Sequence, residues 1–565
     1  MRFFLPCLML FFGAAAASAQ PQLQEFTPGS SAYPEAPRFP DKAWIRQHFE
    51  APMPRIELKP PTRLADFVVG GRLELSLKNY LELVLANNTD IQIQKYTIET
   101  QRNAIMRAFA PFDPVVTASF RSTRAQTPTV DALAGAATLN QLTQPFNFSY
   151  NQTLETGTQY NVGYFAQKIS NNNLFANYNP ALTSNLSFNF TQPLLRGRGT
   201  SNQRLGILIA KTRFRSSQYN LSDQLMRLLQ QAELAYWAVI EARESLRVQE
   251  EALKLFDTLL KRSERELELG AISPLEIYQP QQQYATQEVV VIQARYRLIQ
   301  AEDTMRRQMG ADLDPAFRAM PIVLTETVLP PSDDQHYDKE MLVQEALQRR
   351  PDLKSALENI NADDYTIKQA RNNLLPDLSL VGNYLSAGRG GPFYRRTNVF
   401  AGDGTQTAIV SVIPGGFGDA LSQMWGFNYP TYGLGLTLRL PIRDRAVSAS
   451  LADAAVSRRL NMLRARNTEQ TIRLEVLNAI TQVENSRASV KQSQIALDFS
   501  QKRVEAEQKR YDLGVTTIFF VINAQNDLVR AQADLVQQSV QYRRNLLNLL
   551  RTTGQLLEER GVVID

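Results

Sequence analysis

The chain is written twice, and both copies fold the same pattern around prolines and glycines at matching points. In the first copy a helical stretch ends near Pro114, alternating segments follow, and the return segment stops at Pro193. A long helical stretch then runs to a Leu269-Gly270 break. In the second copy the landmarks are Pro376, Pro441 and Leu513-Gly514. Met106-Arg107-Ala108 through Pro114 lies over Lys368-Gln369-Ala370 through Pro376, and Met309-Gly310 and Thr553-Gly554 close each copy. A duplication that mixes alternating strands with very long helices restricts the fold more than any single residue.

The boundaries follow from the repeat. Arg2, the apolar run Phe3 to Ala17 and the small residues Ala17-Ser18-Ala19 read as an export leader over 1–19. A proline-rich extension occupies 20–72, with Pro34, Pro37, Pro40, Pro52, Pro54, Pro60 and Pro61, too proline-dense to build a core. Its Trp44 and Phe49 suggest that it docks on a surface. The first repeat spans 73–330, the second 331–554, and a short tail covers 555–565.

The only cysteine, Cys7, lies inside the leader, which leaves the exported chain without disulfides or thiol-bound metal. No later segment has the roughly 18 consecutive apolar residues of a membrane helix. A chain that crosses a bilayer without such a helix must do so by strands.

The strands alternate cleanly. Phe146, Phe148 and Tyr150 interleave with Asn147, Ser149 and Asn151. Leu186, Phe188 and Phe190 interleave with Ser187, Asn189 and Thr191, and Leu434, Leu436, Leu438 and Leu440 with Gly435, Thr437 and Arg439. Leu378, Leu380 and Tyr384 share a face opposite Ser379 and Asn383. One apolar and one polar face is the pattern of a barrel with lipid outside and water inside. Long connections over 122–145 and 387–430 belong on an outer surface. Tyr160, Val162 and Tyr164 mark one arm of an additional hairpin, and the periodicity leaves open whether it joins the barrel or projects above it.

Neither Ile207 to Leu269 nor Ile442 to Leu513 contains proline or glycine, so these runs reach roughly 95 and 110 Å as helices. After each glycine a helix returns, over 281–309 and 515–553. In the latter, Val521, Leu528, Leu535, Tyr542 and Leu549 recur every seven residues beside Ile522, Val529, Val536 and Leu550, the spacing of a coiled-coil seam.

Each copy supplies one main strand pair, which gives the chain about four strands, or about six with the extra hairpin; a useful membrane barrel needs about eight. Open edges are not tolerated in hydrocarbon, where each unpaired backbone group costs several kcal/mol. Several copies must therefore share one barrel, and this argument does not fix their number. The fold class expected is an α+β membrane protein, internally duplicated, its strands forming a shared transmembrane β-barrel continued by a long periplasmic α-helical barrel.

With these features assembled, the chain resembles the TolC-like outer membrane efflux proteins. The resemblance rests on the twofold repeat, Gln192-Pro193-Leu194-Leu195, Arg349-Arg350-Pro351-Asp352-Leu353, Leu374-Leu375-Pro376 and Arg510-Tyr511-Asp512-Leu513-Gly514. It implies a homotrimer with a twelve-stranded barrel in the outer membrane, a helical barrel through the periplasm and an equatorial belt of short elements. It further implies passive exit of cargo delivered by an inner-membrane transporter through a periplasmic adaptor, in efflux or type I secretion.

By the same resemblance the helix-hairpin turns form the periplasmic tip and dock the adaptor. The matching residues are Leu269, Gly270, Ala271, Ile272 and Ser273 in the first copy, and Arg510, Leu513, Gly514, Val515 and Thr516 in the second. Where relatives narrow the closed end with acidic side chains, this chain has Phe520 and Asn523, with Glu276 at the equivalent place in the first copy. Phe520 is a candidate for an apolar constriction, or for a helix seam.

Rival classes find less support. The charge of +5 is small and interspersed, unlike a nucleic-acid footprint. His48 and His336 are the only histidines, and no zinc cluster, nucleophile elbow or phosphate loop is present, so no catalytic residue, cofactor or metal is expected. Asp333-Asp334 and Asp363-Asp364 read as helix starts or solvated positions. A periplasmic coiled-coil adaptor or structural envelope protein is the alternative, and it would lack paired amphipathic strands.

Overall fold

A computed structural model describes residues 62–129, 136–328, 337–396 and 409–562. The leader, residues 20–61 of the proline-rich extension, both histidines and Asp333-Asp334 lie outside the described residues. The helices used below are α1 (Leu77–Asn87), α2 (Thr89–Phe109), α3 (Leu205–Glu268), α4 (Tyr278–Gln308), α5 (Lys339–Arg349), α6 (Pro351–Asn373), α7 (Phe417–Trp425), α8 (Arg445–Asp512) and α9 (Ile518–Thr552). The strands are β1 (Val68–Val69), β2 (Arg72–Leu75), β3 (Val115–Phe120), β4 (Thr123–Pro128), β5 (Thr138–Thr153), β6 (Gln159–Asn171), β7 (Ala181–Pro193), β8 (Ile322–Leu324), β9 (Asp377–Gly390), β10 (Phe393–Arg396), β11 (Ile409–Ile413) and β12 (Pro430–Arg439).

The large sheet runs β12-β9-β7-β6-β5-β3, with β4 also paired to β5 and every ladder antiparallel. β3 and β4 are two halves of one span. Opposite their junction stands Pro145 of β5, which has no N–H to donate; the ladder breaks there, and only Arg121 N donates to Pro145 O, at 3.1 Å. The extra hairpin is therefore an integral part of the sheet, set between β3 and β7, the outgoing and return strands of the first copy. Strands β5, β6, β7 and β9 are 16, 13, 13 and 14 residues long, enough to cross a bilayer that takes about 9–11 tilted residues.

Register places the apolar residues on one continuous face. Val116 faces Tyr150, Tyr150 faces Val162, Val162 faces Phe188, Phe188 faces Tyr384, and Tyr384 faces Tyr432. On that face Phe190 lies over Gly382, where an added Cβ would sit 2.1 Å from its ring. At the sheet end remote from the long helices the same face turns small, with Ser184, Ser386, Gly388 and Gly390, and α7 covers it. Ser386 Oγ donates to Met424 O at 2.6 Å, and a Cβ on Gly388 would come within 1.9 Å of Ala420 O.

Helices α3 and α8, of 64 and 68 residues, are about 96 and 102 Å long. Each spans two shorter partners: α3 packs on α2 and α4, and α8 on α6 and α9, while α6 and α9 also pack on α3. The result is one helical layer, ordered α2-α3-α6-α8 near the sheet and α4-α3-α9-α8 beyond it. The seam of α9 differs from the heptad reading. Val521, Ile522, Val529, Tyr542 and Leu549 are buried as expected, but so are Val540 and Leu547, which join a second cluster with Leu229 and Tyr236 of α3. A helix held between two others in a wall buries two flanks, so one stripe underdescribes it.

The belt of short elements sits at mid-height. β1 and β2 pair antiparallel, and β2 pairs in parallel with β8 from the end of the first repeat. Their Leu73, Leu75 and Ile322 share the largest core with Tyr80, Tyr236, Met305 and Met309. The duplication is visible here in the glycines. Gly310 has φ +72° and abuts Asn87 at the α1–α2 junction, and Gly554 has φ +77° and abuts Arg349 at the α5–α6 junction. Arg350, buried, binds Asp352 at 2.6 and 3.1 Å and also reaches Glu475 of α8. That triad is the physical content of the Arg-Arg-Pro-Asp-Leu motif.

Asp363 and Asp364 correct the sequence reading. They lie in the middle of α6, not at a helix start, and tie it to α8: Arg458 Nε donates to Asp364 at 2.6 Å and Asn461 Nδ2 to Asp363 at 2.6 Å.

Candidate functional site: the paired hairpin turns

Both long helices end in the same way. Gly270 (φ +71°) and Gly514 (φ +70°) take the left-handed conformation that lets a helix stop within one residue. Gly270 N donates to Leu267 O at 2.9 Å and Ala271 N to Glu266 O at 2.7 Å. In the second turn Gly514 N donates to Tyr511 O at 2.9 Å and Val515 N to Arg510 O at 3.0 Å. Both are Schellman caps, and in each the residue before the glycine points its leucine at solvent, Leu269 at 83% and Leu513 at 78% exposure.

The turns then diverge. Ser273 Oγ accepts from Leu275 N at 3.3 Å and its carbonyl from Glu276 N at 2.9 Å, so Pro274 sits in a second tight bend before α4 begins. In the second copy α9 starts after Thr517, four residues past its glycine. Ile272 and Thr516 are half-buried, while Ala271, Ser273, Glu276, Arg510 and Val515 are exposed. Arg510 pairs with Glu507 at 3.0 Å on its own helix.

Of the aperture candidates, Phe520 is 51% exposed and edge-on to Phe519, ring centres 5.5 Å apart, while Ile518, Val521 and Ile522 take the buried positions around it. Phe520 therefore does not fill a seam within its own chain. Asn523 is half-buried one turn on, and Glu276 stands on the other hairpin.

A cluster that the sequence reading did not single out as a site joins the two hairpins just above the turns. Tyr511 OH donates to Glu266 Oε2 at 2.6 Å, and Arg262 binds Glu266 at 2.9 Å and Asp512 at 2.9 Å. The Arg262 guanidinium lies over the Tyr511 ring, 4.9 Å from its centre. Burial first, and the Glu266 hydrogen bond second, push the Tyr511 hydroxyl up to about 12. The Arg262 contacts hold Asp512 below the usual carboxylate range. Arg262 and Glu266 are one helical turn apart, which reads in sequence as an ordinary surface pair; only the fold brings Tyr511 and Asp512 to them.

Residues 342–555 match the family model described as "Outer membrane efflux protein". The second repeat is thus similar to the outer membrane efflux proteins. A relative, "Outer membrane efflux protein BepC" of Brucella suis biovar 1 (strain 1330), is 23% identical over 480 residues, covering 84% of this chain and 90% of that one. Among solved structures, the Campylobacter jejuni CmeC outer membrane channel superposes with a TM-score of 0.58 at 16% identity, covering 89% of this chain and 90% of the other. The Vibrio cholerae outer membrane protein VceC does so with 0.59 at 14% identity, covering 85% and 96%.

The chain thus has the expected fold, a β-barrel portion continued by long helices, and it resides in the outer membrane with its helices extending into the periplasm. Its described helices include none long and apolar enough to cross a membrane. The similarity to outer membrane efflux proteins counts against both the enzyme and the adaptor alternatives.

Proposed function

We propose that three copies of this chain form a passive exit duct for cargo handed over by an inner-membrane transporter through a periplasmic adaptor, which docks on the hairpin turns. The observation that carries this reading is that one chain is open along both flanks at every level. In the sheet, β12 is paired only to β9 and β3 only to β5, and the apolar row Tyr432, Leu434, Leu436 and Leu438 is more than half exposed. In the helical layer, α8 leaves Leu460, Leu463, Leu474 and Phe499 uncovered, and α4 leaves Val289, Ile292 and Tyr296 uncovered on the opposite flank. A sheet with open edges cannot persist in lipid. A ring of like copies closes both levels at once, because β12 descends and the next chain's β3 ascends, which is an antiparallel match.

The turns suit docking because they are exposed, rigidly capped and apolar at Leu269, Leu513 and Val515. Opening is a rigid-body shift of one hairpin against its neighbour, which requires the Tyr511–Glu266 and Arg262–Asp512 contacts to part.

A Gly514→Val variant tests the docking. A Cβ at Gly514 meets nothing within 4 Å, so the substitution strains only the left-handed backbone, at about 1–2 kcal/mol. The expected result is normal trimers in the outer membrane with export abolished. Undiminished export contradicts docking at this turn, and loss of the trimer makes the glycine purely structural.

A further inference from the structure

The strand count and the chemistry of the polar face carry one step further. We infer that the barrel is eighteen-stranded, six spans from each of three chains, and that its bore is an uncharged, amide-lined mouth wide enough for hydrated neutral polymers. The inference rests on the trimeric reading above for the factor of three; the six spans are observed within one chain.

The added hairpin is integrated along its whole length. β5 and β6 pair from Gln141–Asn171 to Thr153–Gln159, and β6 and β7 from Gln159–Thr191 to Ile169–Ala181. Its turn is fastened beside the start of α3: Gly199 N donates to Thr156 O at 3.1 Å, Arg204 pairs with Glu155, and a Cβ on Gly157 would lie 2.7 Å from Gly197 O. Its apolar residues continue the lipid-facing surface of the neighbouring strands without a gap. A hairpin projecting above the membrane would need neither that face nor that anchor.

The opposite face carries a row of amides in a single register: Asn151 faces Asn161, Asn161 faces Asn189, Asn189 faces Asn383, and Asn383 faces Gly433. Asn161 Nδ2 donates to Asn151 Oδ1 at 2.6 Å and Asn189 Nδ2 to Asn161 Oδ1 at 3.2 Å. Gly433 ends the row without a side chain of its own, and Asn383 Oδ1 leans over it, 2.7 Å from where a Cβ would sit. Among the described strands this face is charged only near its ends, at the facing Asp377 and Arg439 by the helices and at Arg389 towards the outside. Two of the four asparagines, Asn151 and Asn161, come from the added hairpin. The insertion thus widens the sheet and extends its neutral lining together.

Barrel diameter grows roughly linearly with strand number, so eighteen strands give a mouth about 1.5 times as wide as twelve, in the range of roughly 16–18 strands where an aqueous channel stays open. A helical tube contributed by the same two hairpins per chain does not widen with it, so the duct flares outward. Such a mouth selects neither by charge nor by tight fit, and its amides match hydroxyl-rich cargo such as glycan chains.

The test is a strand count by cryo-electron microscopy of the full chain in nanodiscs, together with labelling of an Asn161→Cys variant on intact cells by maleimide-polyethylene glycols of graded size. Eighteen strands, with the thiol reached by reagents about 1.5 times wider than a twelve-stranded relative admits, is the expected result. A trimer with a twelve-stranded barrel and the β5–β6 hairpin outside it overturns this inference and leaves the exit-duct reading intact. A particle that is not a trimer overturns the reading and the strand number together. Eighteen strands with the thiol reached only by the smallest reagent overturns the open mouth.

Discussion

Tyr511 donates its phenolic proton to Glu266 at 2.6 Å, so the last turn of one long helix is hydrogen-bonded to the last turn of the other. Arg262 sits between them, bound to Glu266 and Asp512 and stacked on the Tyr511 ring. These contacts link the ends of the two hairpins, just above their glycine caps.

Removing them should loosen those ends. Tyr511→Phe deletes one hydrogen bond to a carboxylate, about 1.5–3 kcal/mol, and with Arg262→Ala the expected result is a severalfold rise in the open time of single channels in planar bilayers. The pH sign follows from the raised hydroxyl. Its neutral, donating form is favoured, so the contribution is complete below the unfolded tyrosine value of about 10 and is lost as pH rises through about 12. Open time should be flat with respect to this bond through neutral pH and rise only in strong alkali; a rise already at neutral pH would contradict it.

Phe520 offers an independent readout. It is exposed in its own chain, and a carboxylate placed there should convert an apolar constriction into a hydrated one. Phe520→Asp is expected to raise single-channel conductance and favour cations. Conductance equal to the parent protein removes Phe520 from the aperture.

At mid-height, Glu233 is buried on α3 and accepts from Arg560 at 2.7 and 3.0 Å and from Trp237 Nε1 at 3.3 Å. Burial pushes its carboxyl above the ordinary range, against the pull of Arg560. Arg560→Ala leaves that carboxyl without its cation, at a cost of about 3 kcal/mol at neutral pH. A raised carboxyl contributes fully below the unfolded value of about 4.3 and loses the contribution as pH rises through its folded value. The variant should therefore unfold at a lower temperature than the parent at pH near 7, and the gap should narrow in acid. A gap independent of pH would contradict the account.

The two faces of β12 differ in what they tolerate. Leu436→Arg puts a cation on the lipid side and should cost about 2–4 kcal/mol, lowering the yield of folded protein in the outer membrane. Thr437→Arg, its neighbour on the polar face, should assemble normally. Equal yields from both would show that the faces are assigned wrongly.

The duplication, the helix ends and the alternation were legible because each depends on local chemistry. Gly270 and Gly514 stop helices through their own backbone, and Leu434 to Leu440 alternate through the pleat. What was not legible depended on partners far away in the chain. Tyr160, Val162 and Tyr164 alternate identically in a barrel strand and in a projecting arm, and only pairing to Phe190, Phe188 and Leu186 distinguishes them. Asp363 and Asp364 look solvated until Arg458 and Asn461 of another helix meet them. The α9 stripe looked single because heptad spacing reports one neighbour, and this helix has two.

The central claim is that this chain closes its barrel only with copies of itself. The most direct measurement is the native mass of the protein extracted in detergent from isolated outer membranes. Three copies per particle, in the outer membrane fraction alone, is the result predicted. A monomer, or a soluble periplasmic product, would mean that the open flanks of the sheet and of the helical layer are closed in some other way.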